Sequence, residues 1–148
     1  MRLKLLYISI LFCQFSVYSQ KAESFEVRTI AFYNVENLFD TINDPKTFDD
    51  DRTPQGKDHW NSERYHQKID NISKVISEIG SKTTQTSPDI IGLSEIENQQ
   101  VLEDLINHPN LRKMGYRIVH FESPDERGID VALLYKKAIF LPSTYKSQ

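Results

Sequence analysis

Sulfur chemistry is almost missing from this chain. Its 148 residues include one cysteine, Cys13, so no internal disulfide forms and no thiolate pair holds a metal. Positive charge is also short, with 18 Lys and Arg against 21 Asp and Glu. A protein that coats nucleic acid relies on a broad basic surface, and that class is excluded. Local binding of a phosphodiester through a metal ion is not. Long apolar runs are absent too. The longest, within Leu5 to Phe15, falls short of the roughly 20 residues that a permanent membrane helix needs. No internal repeat and no low-complexity tract is present.

The beginning of the chain reads as an export signal. Arg2 and Lys4 supply a positive start, the apolar run follows, and Val17-Tyr18-Ser19 places smaller residues before a cut at Gln20. Residues 1–19 are thus assigned to a signal peptide and residues 20–148 to the exported portion, bound for the periplasm or the exterior without a stable membrane anchor. A lipid anchor on Cys13 is disfavoured because bulky Phe12 precedes it. Removal of Arg2 and Lys4 lowers the 18 basic residues to 16 against 21 acidic ones, a net charge near −5.

What remains alternates strands and helices. Glu26 to Tyr33 is β-rich, with Val27, Ile30 and Phe32 as the expected inward row. A long polar connection to Asn61 includes Asp49-Asp50-Asp51, which lacks the spacing of a calcium loop and reads as a solvated segment. Ser62 to Ile79 repeats Tyr65, Ile69, Ile72, Ile76 and Ile79 on one helical face, with Ser62 as the expected cap and Gly80 as the stop. A loop from Ser81 to Ser87 leads to a buried strand, Asp89 to Ser94, and a second helix spans Gln99 to Asn107. Tyr116 to Phe121 and Ile129 to Tyr135 form two further strands, separated by a turn rich in Ser, Pro, Asp and Gly. The order β, α, β, α, β, β makes the class α/β. Four strands with two helices would leave one sheet face uncovered, and the apolar Ile139-Phe140-Leu141 near the end favours a truncated domain.

The chemistry concentrates where strands end. Ile90 to Leu93 runs into Ser94-Glu95-Ile96-Glu97, and in open α/β sheets ligands bind at the carboxyl ends of strands. Hard cations such as Mg²⁺ are held there by one or two carboxylates, which makes Glu95 the first candidate metal ligand. The competing reading is a solvated acid at a helix start. Asn34 and Glu36 also follow a strand and share that rim if the two strands are neighbours. Arg127 brings a guanidinium that matches phosphate in a two-pronged fork, unless it forms a surface pair with Asp125 or Glu126. Asp130, at the head of an apolar strand, needs a partner if buried, either Arg127 or a backbone amide. His120 reads as a satisfied structural histidine, and Trp60 and Tyr65 as aromatics pinning a helix start.

Three segments together resemble the endonuclease/exonuclease/phosphatase superfamily, the DNase I-like group. They are Ala31-Phe32-Tyr33-Asn34-Val35-Glu36-Asn37-Leu38-Phe39-Asp40, Pro88 to Asn98, and Ser123 to Tyr135 with its Arg127-Gly128-Ile129-Asp130. Trp60, Arg64-Tyr65 and Lys68-Ile69-Asp70-Asn71-Ile72 are similar to its secreted bacterial branch. The resemblance implies a four-layer α/β sandwich, of which this chain is the N-terminal half. It also implies Mg²⁺, with Mn²⁺ or Ca²⁺ as alternatives, and in-line hydrolysis of a phosphate ester. It places Asn34 and Glu95 in the catalytic role, Glu95 and Glu36 on the metal, and Arg127 with Asn34 on substrate phosphate. The implied partner is nucleic acid or another phosphate ester, and no protein partner is indicated. The family's Asp-x-Asn pair is missing, and the one Asp-His, Asp58-His59, sits in the early loop. An incomplete, inactive fragment is therefore expected. A secreted non-catalytic module on the same scaffold, or a lipid or sugar phosphatase, is the alternative.

Overall fold

The computed structural model describes residues 24–146, so the assigned export signal and Cys13 lie outside the described residues. The elements are β1 (Ile30–Leu38), a 3-10 turn (Asp50–Arg52), α1 (Ser62–Glu78), α2 (Ser81–Thr84), β2 (Ile90–Ile96), α3 (Gln99–Asn107), β3 (Tyr116–Phe121) and β4 (Asp130–Lys136). The fold is α/β, consistent with part of a DNase I-like domain. One sheet of order β1-β2-β4-β3 carries it. β1 and β2 run parallel, whereas β4 is antiparallel to both β2 and β3. A parallel pair needs a long crossover, and the segment bearing α1 supplies it.

One face of the sheet holds the core. Ile91 and Leu93 of β2, Ala132 and Leu134 of β4 and Val35 of β1 meet Ile69, Ile72 and Ile76 of α1 and Val101, Leu102 and Leu105 of α3. Fully burying each such aliphatic side chain contributes about 1.5–3 kcal/mol, which outweighs any helix propensity. Tyr65 ties the two long helices together, its hydroxyl donating to Asp104 Oδ2 at 2.6 Å.

The phase of β1 differs from the expectation. Val27, Ile30 and Phe32 are exposed, Ile30 at 71% and Phe32 at 72%, while Val35 and Leu38 are buried. Both rows of this strand are apolar, so alternation alone does not select a face. The strand continues through Leu38 instead of stopping at Tyr33, and Val35 and Leu38 decide which row faces inward. On the outer face Gly92 makes room for an aromatic ring, since a Cβ there would lie 2.7 Å from Phe32 Cδ2.

Other boundaries shift for local reasons. The cap of α1 is Asn61, whose side-chain oxygen accepts from the Arg64 amide at 3.0 Å, so Ser62 is the first helical residue. The expected loop at Ser81 to Ser87 begins with α2, entered through left-handed Gly80 at φ 72°. β2 extends to Ile96 and β4 opens at Asp130. The acidic triple is only partly solvated, because Asp49 is buried and accepts the Asp44 amide at 2.9 Å.

Candidate active site

Parallel pairing of β1 and β2 puts their carboxyl ends on one rim. The register runs from Ile30 opposite Ile90 to Asn34 opposite Ser94, breaks, and resumes with Leu38 opposite Ile96. The break is a bulge in which three non-glycine residues are left-handed: Glu36 at φ 57°, Asn37 at 63° and Glu95 at 64°. Such conformations cost of order 1–3 kcal/mol each and persist only where their surroundings enforce them. Here the bulge turns Asn34 and Glu95 toward each other. Asn34 Nδ2 donates to Glu95 Oε1 at 2.9 Å. Asn34 Oδ1 accepts from the Glu36 amide at 2.7 Å, so this side chain is fixed at both ends.

Glu36 contributes differently from Glu95. Its side chain is exposed, and its carbonyl accepts from Lys68 Nζ at 2.6 Å. Lys68 is the residue that sequence reasoning left without a role. Burial pushes its ammonium below the usual lysine range, opposed by the nearby charges of Glu36 and Glu95. Arg64 and Lys68, one turn apart on α1, both stand over Trp60, with Arg64 Cζ 5.4 Å and Lys68 Nζ 5.9 Å from its ring centroid. The indole in turn donates to the Phe39 carbonyl at 3.0 Å, pinning α1 beside the rim. The four-residue spacing of positions 60, 64 and 68 was the signal available for this cation.

Arg127 stands apart. Its guanidinium forks onto Asp125, with Nη2 to Oδ2 at 2.8 Å and Nε to Oδ1 at 3.0 Å, the surface pairing that competed with a phosphate role. That hydrogen bonding holds the Asp125 carboxyl near 2. Arg127 does not touch Asn34 or Glu95 among the described residues. It borders a cavity of about 250 Å³ that Asn37, Arg52 and Lys57 also line, and its hydrogen bonds to Asp125, with a lesser contribution from Glu95, favour its cationic form. Exposed pairs of this kind are worth little.

Glu97 points elsewhere. The left-handed residue at Glu95 breaks the two-residue period, and Glu97 is buried on the far side of the rim, where it accepts the Asp40 amide. Burial, with Asp40, Asp49 and Asp44 nearby, pushes its carboxyl up to about 8 against the pull of that amide. Asp130 finds both a backbone amide, that of Ser123 at 2.7 Å, and His120 at 2.8 Å. His120 is thus paired with Asp130 across the β3–β4 ladder.

The rim offers hard oxygen donors. Glu95 Oε2 makes no hydrogen bond among the described residues, the Glu36 carboxylate is exposed, and the Asn34 oxygen is committed to a backbone amide. An open carboxylate oxygen on Glu95, oriented by Asn34, is donor chemistry that a hard divalent cation accepts.

A family model described as Endonuclease/Exonuclease/phosphatase family matches residues 29–148. The chain belongs to this family. Its members are, in general, metal-dependent hydrolases of phosphate esters, and the matched span includes Asn34, Glu36, Lys68, Glu95 and Arg127. Neither the curated proteins nor the solved structures yield a match.

Proposed function

We propose that these residues form one wall of a Mg²⁺-dependent phosphodiesterase acting on nucleic acid, in a secreted bacterial branch of the family. One observation carries the proposal: two parallel strands end in left-handed bulges that hydrogen-bond Asn34 to Glu95 at 2.9 Å. Glu95 and Glu36 are the residues to hold the ion, which when bound stabilises charge that grows on the phosphate during hydrolysis. Asn34 keeps the Glu95 carboxylate in one orientation. Its Nδ2 is the donor at the rim that a phosphate oxygen can meet. Lys68 adds a fixed positive charge beside the bulge, and Arg127 supplies a forked donor once Asp125 releases it. The signal-like pattern of residues 1–19 supports export of this activity to the periplasm or the exterior.

The nucleic-acid reading rests on the cationic side chains Lys68, Arg64 and Arg127 around an otherwise acidic chain. The Asp-x-Asn and closing Asp-His are not among the 148 residues, and positioning with acid–base work supplies many powers of ten. Residues 20–148 by themselves are thus expected to be nearly inactive, and the assay belongs on the full natural polypeptide. Plasmid nicking with Mg²⁺ is expected, and Glu95→Ala should lower it at least about a hundredfold. Equal rates in that variant would remove Glu95 from the site. Turnover of a sugar phosphate or a sphingolipid in preference to DNA would replace the nuclease reading with a phosphatase or lipid hydrolase.

A further inference from the structure

β3 and β4 pair antiparallel with His120 opposite Ala132 and Phe121 opposite Val131. His120 therefore projects on the same side as Ala132 and, two residues before it, Asp130. Both side chains are nearly inaccessible, 5% and 2% exposed, and Nε2 lies 2.8 Å from Oδ2. Glu122 follows at the strand's end. One ligand atom from each of His120, Glu122 and Asp130 lies within 4.8 Å of the others. The second Asp130 oxygen accepts the Ser123 amide at 2.7 Å, which fixes the orientation of that carboxylate. Holding first ligands through their other atom is how metal sites are kept in shape.

The surroundings favour a cation. Glu122 opens onto a cavity of about 330 Å³ that Asp40, Asp44 and Glu97 also line, with no Lys, Arg or His among its lining residues. Asp130 is buried and Glu122 exposed, so the three candidate ligands run from the interior to the wall of that cavity. We infer that His120, Glu122 and Asp130 form a second divalent-cation site, separate from the rim of Asn34 and Glu95. An imidazole nitrogen with two carboxylates suits a first-row ion such as Zn²⁺ or Mn²⁺. Mg²⁺ and Ca²⁺ take oxygen ligands. Three protein ligands leave coordination positions for water on the cavity side. The ion clamps the base of the segment from Glu122 to Ile129, which carries Arg127. The Phe48 amide donates to the Glu126 carbonyl at 2.8 Å, so the clamp reaches the segment around Phe48 as well.

The test is metal binding by the full natural polypeptide, read without any activity assay. Zn²⁺ and Mn²⁺ are titrated by calorimetry and thermal shift, Co²⁺ by its visible spectrum, and Ca²⁺ serves as the oxygen-preferring control. Wild type is compared with Glu95→Gln, Glu122→Gln and His120→Asn. The expected result is that Glu95→Gln keeps the Zn²⁺ stabilisation, while Glu122→Gln, an exposed change that spares folding, weakens it at least about tenfold. The imidazole-type Co²⁺ spectrum should vanish in His120→Asn. Unchanged Zn²⁺ binding in Glu122→Gln overturns the inference and leaves His120 and Asp130 as a metal-free latch. Loss of all binding in Glu95→Gln overturns it too, and assigns the ion to the rim.

Discussion

The two ends of β2 solve opposite problems. At its start, Asp89 is buried against Lys136, with Nζ 3.2 Å from Oδ1. Lys136 also donates to Thr86 Oγ1 at 2.8 Å and the Ser87 carbonyl at 2.6 Å, while the Tyr116 hydroxyl donates to Ser87 Oγ at 2.9 Å. Every donor there is answered. At its finish, Glu95 sits left-handed at φ 64° with one carboxylate oxygen held by Asn34 and the other open. One end spends its polar groups on each other and anchors the strand. The other keeps them available and accepts backbone strain to do so. The same strand thus separates holding from acting.

The sharpest way to break this contrast is at the anchored end. Asp89→Ala strands a buried ammonium, and chemical denaturation should show a loss of about 3–5 kcal/mol. If that variant unfolds no more easily, the network is ornamental. At the open end, Glu95→Gly removes the carboxylate but relieves the left-handed backbone. It should abolish phosphodiester cleavage while raising stability by about 1 kcal/mol in the same denaturation experiment. A fall in stability would mean the bulge is not strained. Asn34→Ala frees Glu95 without removing it and also takes away a donor to phosphate, and kcat/KM for phosphate-ester hydrolysis should drop by about tenfold or more. The pH-dependent effect concerns Glu97. Its carboxyl titrates near 8 when folded against 4.5 for an unperturbed glutamate. Between those values the folded chain keeps a proton that the unfolded chain has lost, so stability falls as pH rises. In chelator, Glu97→Gln should flatten melting temperature across that window, and an unaltered slope would contradict the burial argument.

Much of the frame was legible because its rules are local and repetitive. The apolar face of Tyr65, Ile69, Ile72 and Ile76 on α1, the span of α3 from Gln99 to Asn107 and the limits of β3 follow from periodicity alone. The meeting of Asn34 and Glu95 was legible because two apolar strands each ended on a polar side chain. The inward row of β1 was not, since Ile30 and Phe32 compete with Ala31, Tyr33 and Val35 on equal apolar terms and only tertiary packing decides. Lys68 was missed for another reason. Its partner is a backbone carbonyl in a bulge, and no side-chain pattern announces a left-handed residue at Glu36. The separate environment of Glu97 was not legible, because a strict two-residue alternation has no means of registering the bulge at Glu95.

The amide of Asn34 has chemically different ends, and each is matched to one neighbour. Replacement by aspartate, identical in shape, would set two carboxylate oxygens face to face at the spacing of 2.9 Å now occupied by a donor and an acceptor. Two like charges so close repel each other. A single-atom exchange would therefore replace an orienting contact with a repulsive one, and the Glu95 carboxylate would swing away from its present position unless a cation bridged the pair.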